Sequence, residues 1–223
     1  MTNLNLIFGS LDSFSQFSDY REFRNDFLKR RENQELYDNE SGSGRIHGDG
    51  NDPELWNPTI GYGFNLKSRT LSNITAYLTH AFGTISPVQE DALSILGYWK
   101  GSIPVMIDGI SRALNAEDIV RGARGLIPEL SALTSLEMTE MQATALLNAV
   151  LDGIPDTSFG SVEAGLDNAL DGQWLQNSKE RVALISMYFQ SPGLIGDGIK
   201  SALADNNRAE AWYQIRYGHA NYN

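Results

Sequence analysis

Glu32 ends the basic stretch Leu28-Lys29-Arg30-Arg31-Glu32, and Thr59 stands in Pro58-Thr59-Ile60-Gly61-Tyr62-Gly63-Phe64-Asn65-Leu66. Together they offer a carboxylic acid and a hydroxyl on a glycine-rich β turn. A glycosidic bond is cut by such groups: one carboxyl protonates the leaving oxygen, and a second polar group holds a water on the other face of the sugar. Glu32 lies at a helix end where the dipole does not help a negative charge, which favours the protonated form that a proton donor needs. The plain alternative is a solvated carboxylate pairing with Lys29 or Arg31, an arrangement worth at most about 1 kcal/mol. For Thr59 the plain alternative is an ordinary β-branched strand residue, with Gly61 and Gly63 shaping a tight bend.

The elements around these residues can be read from caps and periodicity. Ser18 is an N-cap candidate, with Asp19 and Glu22 in the first turn and Tyr20, Phe23 and Phe27 as one apolar stripe. Leu36-Tyr37 and Thr59-Ile60 carry strand-forming types, which predicts a small antiparallel sheet with a polar Gly, Ser, Asp and Asn loop inserted over 40–57. Ser86-Pro87-Val88-Gln89 and Thr139-Glu140-Met141-Gln142 are capping boxes, and Ser178 caps a third helix whose run Val182–Phe189 is apolar nearly all round. Shorter helices are expected at about 195–204 and 207–217, and Asp108 to Pro128 reads as helix and turn. Residues 1–17 read as an arm and 18–223 as a single domain, in which 18–66 holds the acid helix and sheet and 67–223 forms a helical lobe.

Composition narrows the function classes. The chain of 223 residues carries a formal charge of −11, which argues against nucleic acid or an anionic membrane as the main partner. There is no cysteine, and the three histidines are far apart, so no thiolate or His-pair metal site is expected. The acidic insertion lacks the D-x-[DN]-x-[DN]-G spacing of a calcium loop, which favours a solvated loop. Gly61-x-Gly63 lacks the third glycine and following helix of a phosphate cradle. No cofactor is expected. No apolar run reaches membrane-spanning length, and the N-terminus lacks a secretory signal pattern, so the expectation is cytoplasmic synthesis with action on the cell wall after release, injection or virion delivery.

Three patches, in order, resemble the phage-type lysozymes and more distantly the lysozyme-like domain of pesticin-type bacteriocins. They are Arg31-Glu32-Asn33, Thr59-Ile60-Gly61-Tyr62-Gly63, and Glu180-Arg181-Val182-Ala183-Leu184-Ile185-Ser186-Met187-Tyr188-Phe189-Gln190. The resemblance covers roughly 18–217. It implies an α+β, mostly helical, two-lobed fold with a small sheet beside a cleft for peptidoglycan glycan strands. It also implies inverting hydrolysis of the β-1,4 bond between N-acetylmuramic acid and N-acetylglucosamine; apart from the resemblance, a monomer is expected. Glu32 matches the general acid and Thr59 the residue that helps hold water. Tyr37, Asn65, Phe189, Gln190 and Ser201 match positions that contact substrate.

The sequence departs from the pattern at the second carboxylate. The string Tyr37-Asp38-Asn39 places Asp38 one position early, and Asn65 stands where the pesticin variant has its Asp. Asp38 is taken as the water-activating base, with Asp49 and Asp52 as alternatives on the inserted loop and Glu35 as a competitor of Glu32 for the acid. Two other functions remain open: a lytic transglycosylase, which needs one Glu and no water activator, and a non-catalytic glycan-binding or virion structural module of the same fold.

Overall fold

The computed structural model describes residues 13–48, 53, 56–171 and 175–217. Among them helices dominate and two small antiparallel sheets are present, so the fold class is α+β. The chain parts into two compact units. A sheet-bearing unit comprises 27–150 and 154–159, and a carboxy-terminal unit comprises 1–26, 151–153 and 160–223. Leu66 and Lys67 therefore belong to the same unit.

Helix α1, Phe17–Glu32, begins one residue before the expected cap Ser18 and ends in Lys29, Arg30 and Arg31, as the helix dipole favours. Its fully buried residues are Tyr20, Arg24 and Leu28, four apart, whereas Phe27 is 39% exposed. The expected Tyr20–Phe23–Phe27 stripe is thus shifted. The helix spends a buried position on an arginine because acidic partners stand ready for it, as described below.

Helix α2, Gln34–Tyr37, replaces the expected strand at Leu36-Tyr37. The side chain of Asn33 accepts a hydrogen bond from the Leu36 amide at 3.0 Å, and this cap outweighs the weak strand preference of Leu-Tyr. The sheet forms further along. Strands β1, Thr59–Ile60, and β2, Phe64–Asn65, pair antiparallel, with Thr59 opposite Asn65 and Ile60 opposite Phe64. On its other edge Thr59 exchanges both backbone hydrogen bonds with His47 at 2.9 Å. The inserted loop itself therefore supplies the third line of the sheet.

The rest of this unit is helical apart from one hairpin. Helix α3, Leu71–Phe82, is capped by Thr70, and α4, Pro87–Lys100, starts with the Ser86/Gln89 capping box expected for it. Strands β3, Val105–Ile107, and β4, Ile110–Arg112, pair around Asp108-Gly109, which corrects the helix-and-turn expectation for the start of 108–128. Both turn residues have positive φ (51° and 78°), the geometry that an Asp-Gly hairpin turn adopts. Helix α5, Ala116–Ala123, follows with an Asn115/Asp118 capping box. A 3-10 helix, Pro128–Leu136, packs on both α4 and α5 and buries Leu130, Leu133 and Leu136. Helix α6, Glu140–Asp152, opens with the Thr139/Gln142 capping box, and Gly153, at φ 91°, ends it.

In the carboxy-terminal unit, α7, Val162–Ala169, packs on α8, Lys179–Gln190, and α9, Asp197–Ala204, packs on α10, Arg208–Tyr217. Ser178 caps α8 as expected, through the Arg181 amide. An ionic cluster forms around two buried arginines of this unit. Arg24, with no exposed surface, pairs with Asp152 and Glu163 at 2.7 Å, and Arg181 pairs with Glu163 at 2.6 Å and Asp167 at 2.7 Å. The Tyr20 hydroxyl donates to the same Glu163 at 2.7 Å. Burial and the Glu163 charge push that phenol upward, so it stays protonated and keeps donating. No helix among the described residues is long and apolar enough to cross a membrane.

Candidate active site

The sheet-bearing unit carries an open groove of about 770 Å³. Its walls include Glu32 and Glu35 from the α1–α2 junction, Arg45 and His47 from the segment that pairs with Thr59, and Arg124 and Leu126 from the end of α5. Glu32 is half-buried, with its Oε1 atom enclosed, while Glu35 is exposed.

Asn33 fixes the position of Glu32. Its Nδ2 donates to the carbonyls of Ser43 at 3.1 Å and Gly61 at 3.2 Å, and its Oδ1 caps α2. One amide thus fastens the acid's helix end to the inserted loop and to the turn after Thr59. The turn is pinned a second way. Glu140 accepts from Lys29 at 2.8 Å, from Thr144 at 2.9 Å and from Tyr62 at 3.3 Å, and the Lys29 ammonium lies 5.7 Å from the Tyr62 ring centroid. Burial alone would push the Glu140 carboxyl up, but these donors outweigh it and hold the group below the usual carboxylate range. Burial, followed by the Glu140 charge, drives the Tyr62 phenol the other way.

Gly61 and Gly63 both have positive φ (62° and 78°), and a Cβ on Gly61 would come within 3.3 Å of Ala143. They serve the bend and its packing on α6. The groove segment through Ser43 and Arg45 is held by a backbone approach at Gly44 between them. The Met138 amide donates to the Gly44 carbonyl at 3.0 Å, and a Cβ on Gly44 would lie 1.9 Å from the Met138 carbonyl oxygen. Gly48 lies flat on the indole of Trp56 in the same way, a Cβ there falling 2.4 Å from the ring.

Thr59 is buried, and its Oγ1 makes no hydrogen bond. A hydroxyl so placed costs about 1–3 kcal/mol unless a water or ligand meets it. Asn65 is brought opposite Thr59 across the β1–β2 ladder, and its Oδ1 accepts from the Ser68 amide at 3.1 Å.

The remaining expected residues are placed as follows. Asp38 is the exposed C-cap of α2, accepts from Gln34 Nε2 at 2.8 Å and does not line the groove. Tyr37 lies in α2 with its hydroxyl accepting from Arg30 at 2.8 Å. Asp49 and Asp52 lie outside the described residues. Phe189 is half-buried and Gln190 exposed at the end of α8, and Ser201 is exposed on α9, all in the carboxy-terminal unit. Sequence reasoning missed Asn33, Arg45, His47 and Arg124 as groove residues. Asn33 had a signal, a capping residue directly after the acid; Arg124 had none, because only the folded chain brings it to this wall.

The chain matches no protein-family model, no curated protein and no solved structure. The chemistry of the site therefore rests on its own geometry.

Proposed function

We propose that the chain is a peptidoglycan hydrolase of the phage-lysozyme type, adopting the two-lobed lysozyme-like fold and cutting the β-1,4 bond between N-acetylmuramic acid and N-acetylglucosamine. The observation that carries this reading is Glu32 on the wall of an open groove, tied through Asn33 to the turn that follows the buried Thr59 hydroxyl. Glu32 gives its proton to the glycosidic oxygen as the bond to the anomeric carbon breaks. Water held by Thr59 attacks that carbon from the opposite face, and a carboxylate takes the water's proton, with inversion. Asp38, exposed and bonded to Gln34, is the base that the sequence pattern offers, with Asp49 and Asp52, outside the described residues, as alternatives. The protein works on the wall as a monomer, after release, injection or virion delivery.

A second reading is a lytic transglycosylase. The described carboxylates lining the groove are Glu32 and Glu35, with no aspartate among them, and one acid suffices for that reaction.

The test is Glu32→Gln on purified peptidoglycan with product analysis. Activity should fall on the order of 10³-fold with no change in melting temperature. Reducing ends identify hydrolysis and anhydro-sugar ends the transglycosylase. An active Glu32→Gln protein would move the acid to Glu35, and an inert wild type would leave a glycan-binding module.

A further inference from the structure

The groove carries a cation that the reaction above does not use. Arg124 closes α5 as its C-cap and lines the groove, with its guanidinium 5.9 Å from the centroid of the Trp56 ring. It makes no ion pair among the described residues. The other groove arginine, Arg45, is bound to Glu137 at 2.8 Å, so its charge is already answered. Trp56 is itself fixed by the close approach of Gly48. A guanidinium beside an indole ring spends none of its N–H groups on that contact, and its fork fits a carboxylate through two parallel hydrogen bonds.

The charge is also out of keeping with its surroundings. The chain carries a net −11, and the same groove holds Glu32 and Glu35. An arginine with no ion pair among the described residues is suited here to an anionic group on the ligand.

We propose that Arg124 is a specificity residue that reads a carboxylate on the glycan, restricting the groove to acidic sugar strands over neutral chitin-like ones. The inference rests on the reading of the groove as a glycan-cleaving site. On peptidoglycan that carboxylate comes either from the lactyl ether of a peptide-free muramic acid or from the stem peptide. Arg124 does not touch the bond that is cut, so its loss should raise KM and leave kcat nearly unchanged.

The experiment pairs binding with turnover. Glu32→Gln protein, with and without Arg124→Gln, is titrated calorimetrically with peptide-free glycan strands, the same strands with lactyl carboxylates amidated, stem-bearing strands and chitin oligomers. Arg124→Gln should weaken binding at least tenfold for a carboxylate-bearing strand and leave amidated strands and chitin unaffected, with Arg124→Lys in between. Loss on peptide-free strands assigns the lactyl group, and loss confined to stem-bearing strands assigns the peptide. Equal loss on all four ligands, or none, overturns the inference. Melting temperature checks the fold, and the exposed position of Arg124 leaves it unchanged.

Turnover separates this inference from the functional reading. Carboxylate-selective binding with no cleavage by the wild type overturns the hydrolase and leaves the role of Arg124 standing. Cleavage by the wild type whose carboxylate preference is unaltered in Arg124→Gln does the reverse. A wild type that neither binds nor cleaves any strand overturns both.

Discussion

Asn33 has three hydrogen-bonding roles on one side chain: it caps α2, holds the Ser43 carbonyl and holds the Gly61 carbonyl. Asn33→Ala removes all three, and a loss of about 2–3 kcal/mol is expected from the cap and the two stranded carbonyls. Asn33→Asp separates the roles. Its carboxylate still caps α2 but presents oxygen to both carbonyls, so the cap survives while the groove loosens. Activity of Asn33→Asp should therefore fall further than its melting temperature suggests; equal falls would show that the clamp matters only for stability. The candidate acid's place on the groove was legible in the sequence because its chemistry is written in its residue type, whereas Thr59 is buried and is not among the groove's lining residues. The cap at Asn33 was signalled by its residue type, but the clamp was not, since the Ser43 and Gly61 carbonyls reach it only in the folded chain.

At the scale of elements, α1 shows how a correct helix can carry a misread face. Its span follows from its acidic start and basic end, but the aromatic stripe through Phe27 rests on hydrophobicity alone. The buried face runs through Leu28, with Arg24 drawn inward by Asp152 and Glu163, partners too distant in sequence to foresee. Leu28→Ala should cost about 2–5 kcal/mol by denaturant titration, whereas Phe27→Ala should cost less than about 1 kcal/mol. The reverse order would restore the aromatic stripe. Capping boxes at Ser86, Thr139 and the Ser178 cap were read correctly because each is a local hydrogen-bond pattern of four residues. The strand at Leu36-Tyr37 and the missed β3–β4 hairpin have one cause. Short segments are decided by turn and cap chemistry, and Asn33 and Asp108-Gly109 were the residues to weigh.

Across the whole molecule, depressed carboxylates set the response to acid. Asp118 accepts two bonds from Arg112 at 2.6 and 2.7 Å and one from the Asn115 amide at 2.9 Å. Burial pushes its carboxyl up, but these donors prevail and hold it below its ordinary value, as they do for Glu140. A carboxyl depressed in the folded state stabilises the protein above its unfolded value, about 3.9 for Asp and 4.3 for Glu, and that stability is lost as pH falls through the folded value. The melting temperature should hold level from neutral pH to about 5 and then fall, with the drop reduced in Asp118→Asn. A level profile down to pH 2 would show that these bonds contribute nothing. Overall charge and the preponderance of helix were plain from composition and periodicity. The division into units was not, because its boundaries cut α1 and α6 at positions where the sequence shows no break.

The contact of Gly44 with Met138 joins main chain to main chain. A fastening of this kind ignores what side chains its neighbours bear. Ser43, Arg45 and the residues facing them can be exchanged to suit new ligands without the wall giving way, provided position 44 itself never acquires a methyl group. Directed evolution of this groove should therefore keep glycine at 44 while Ser43 and Arg45 vary beside it.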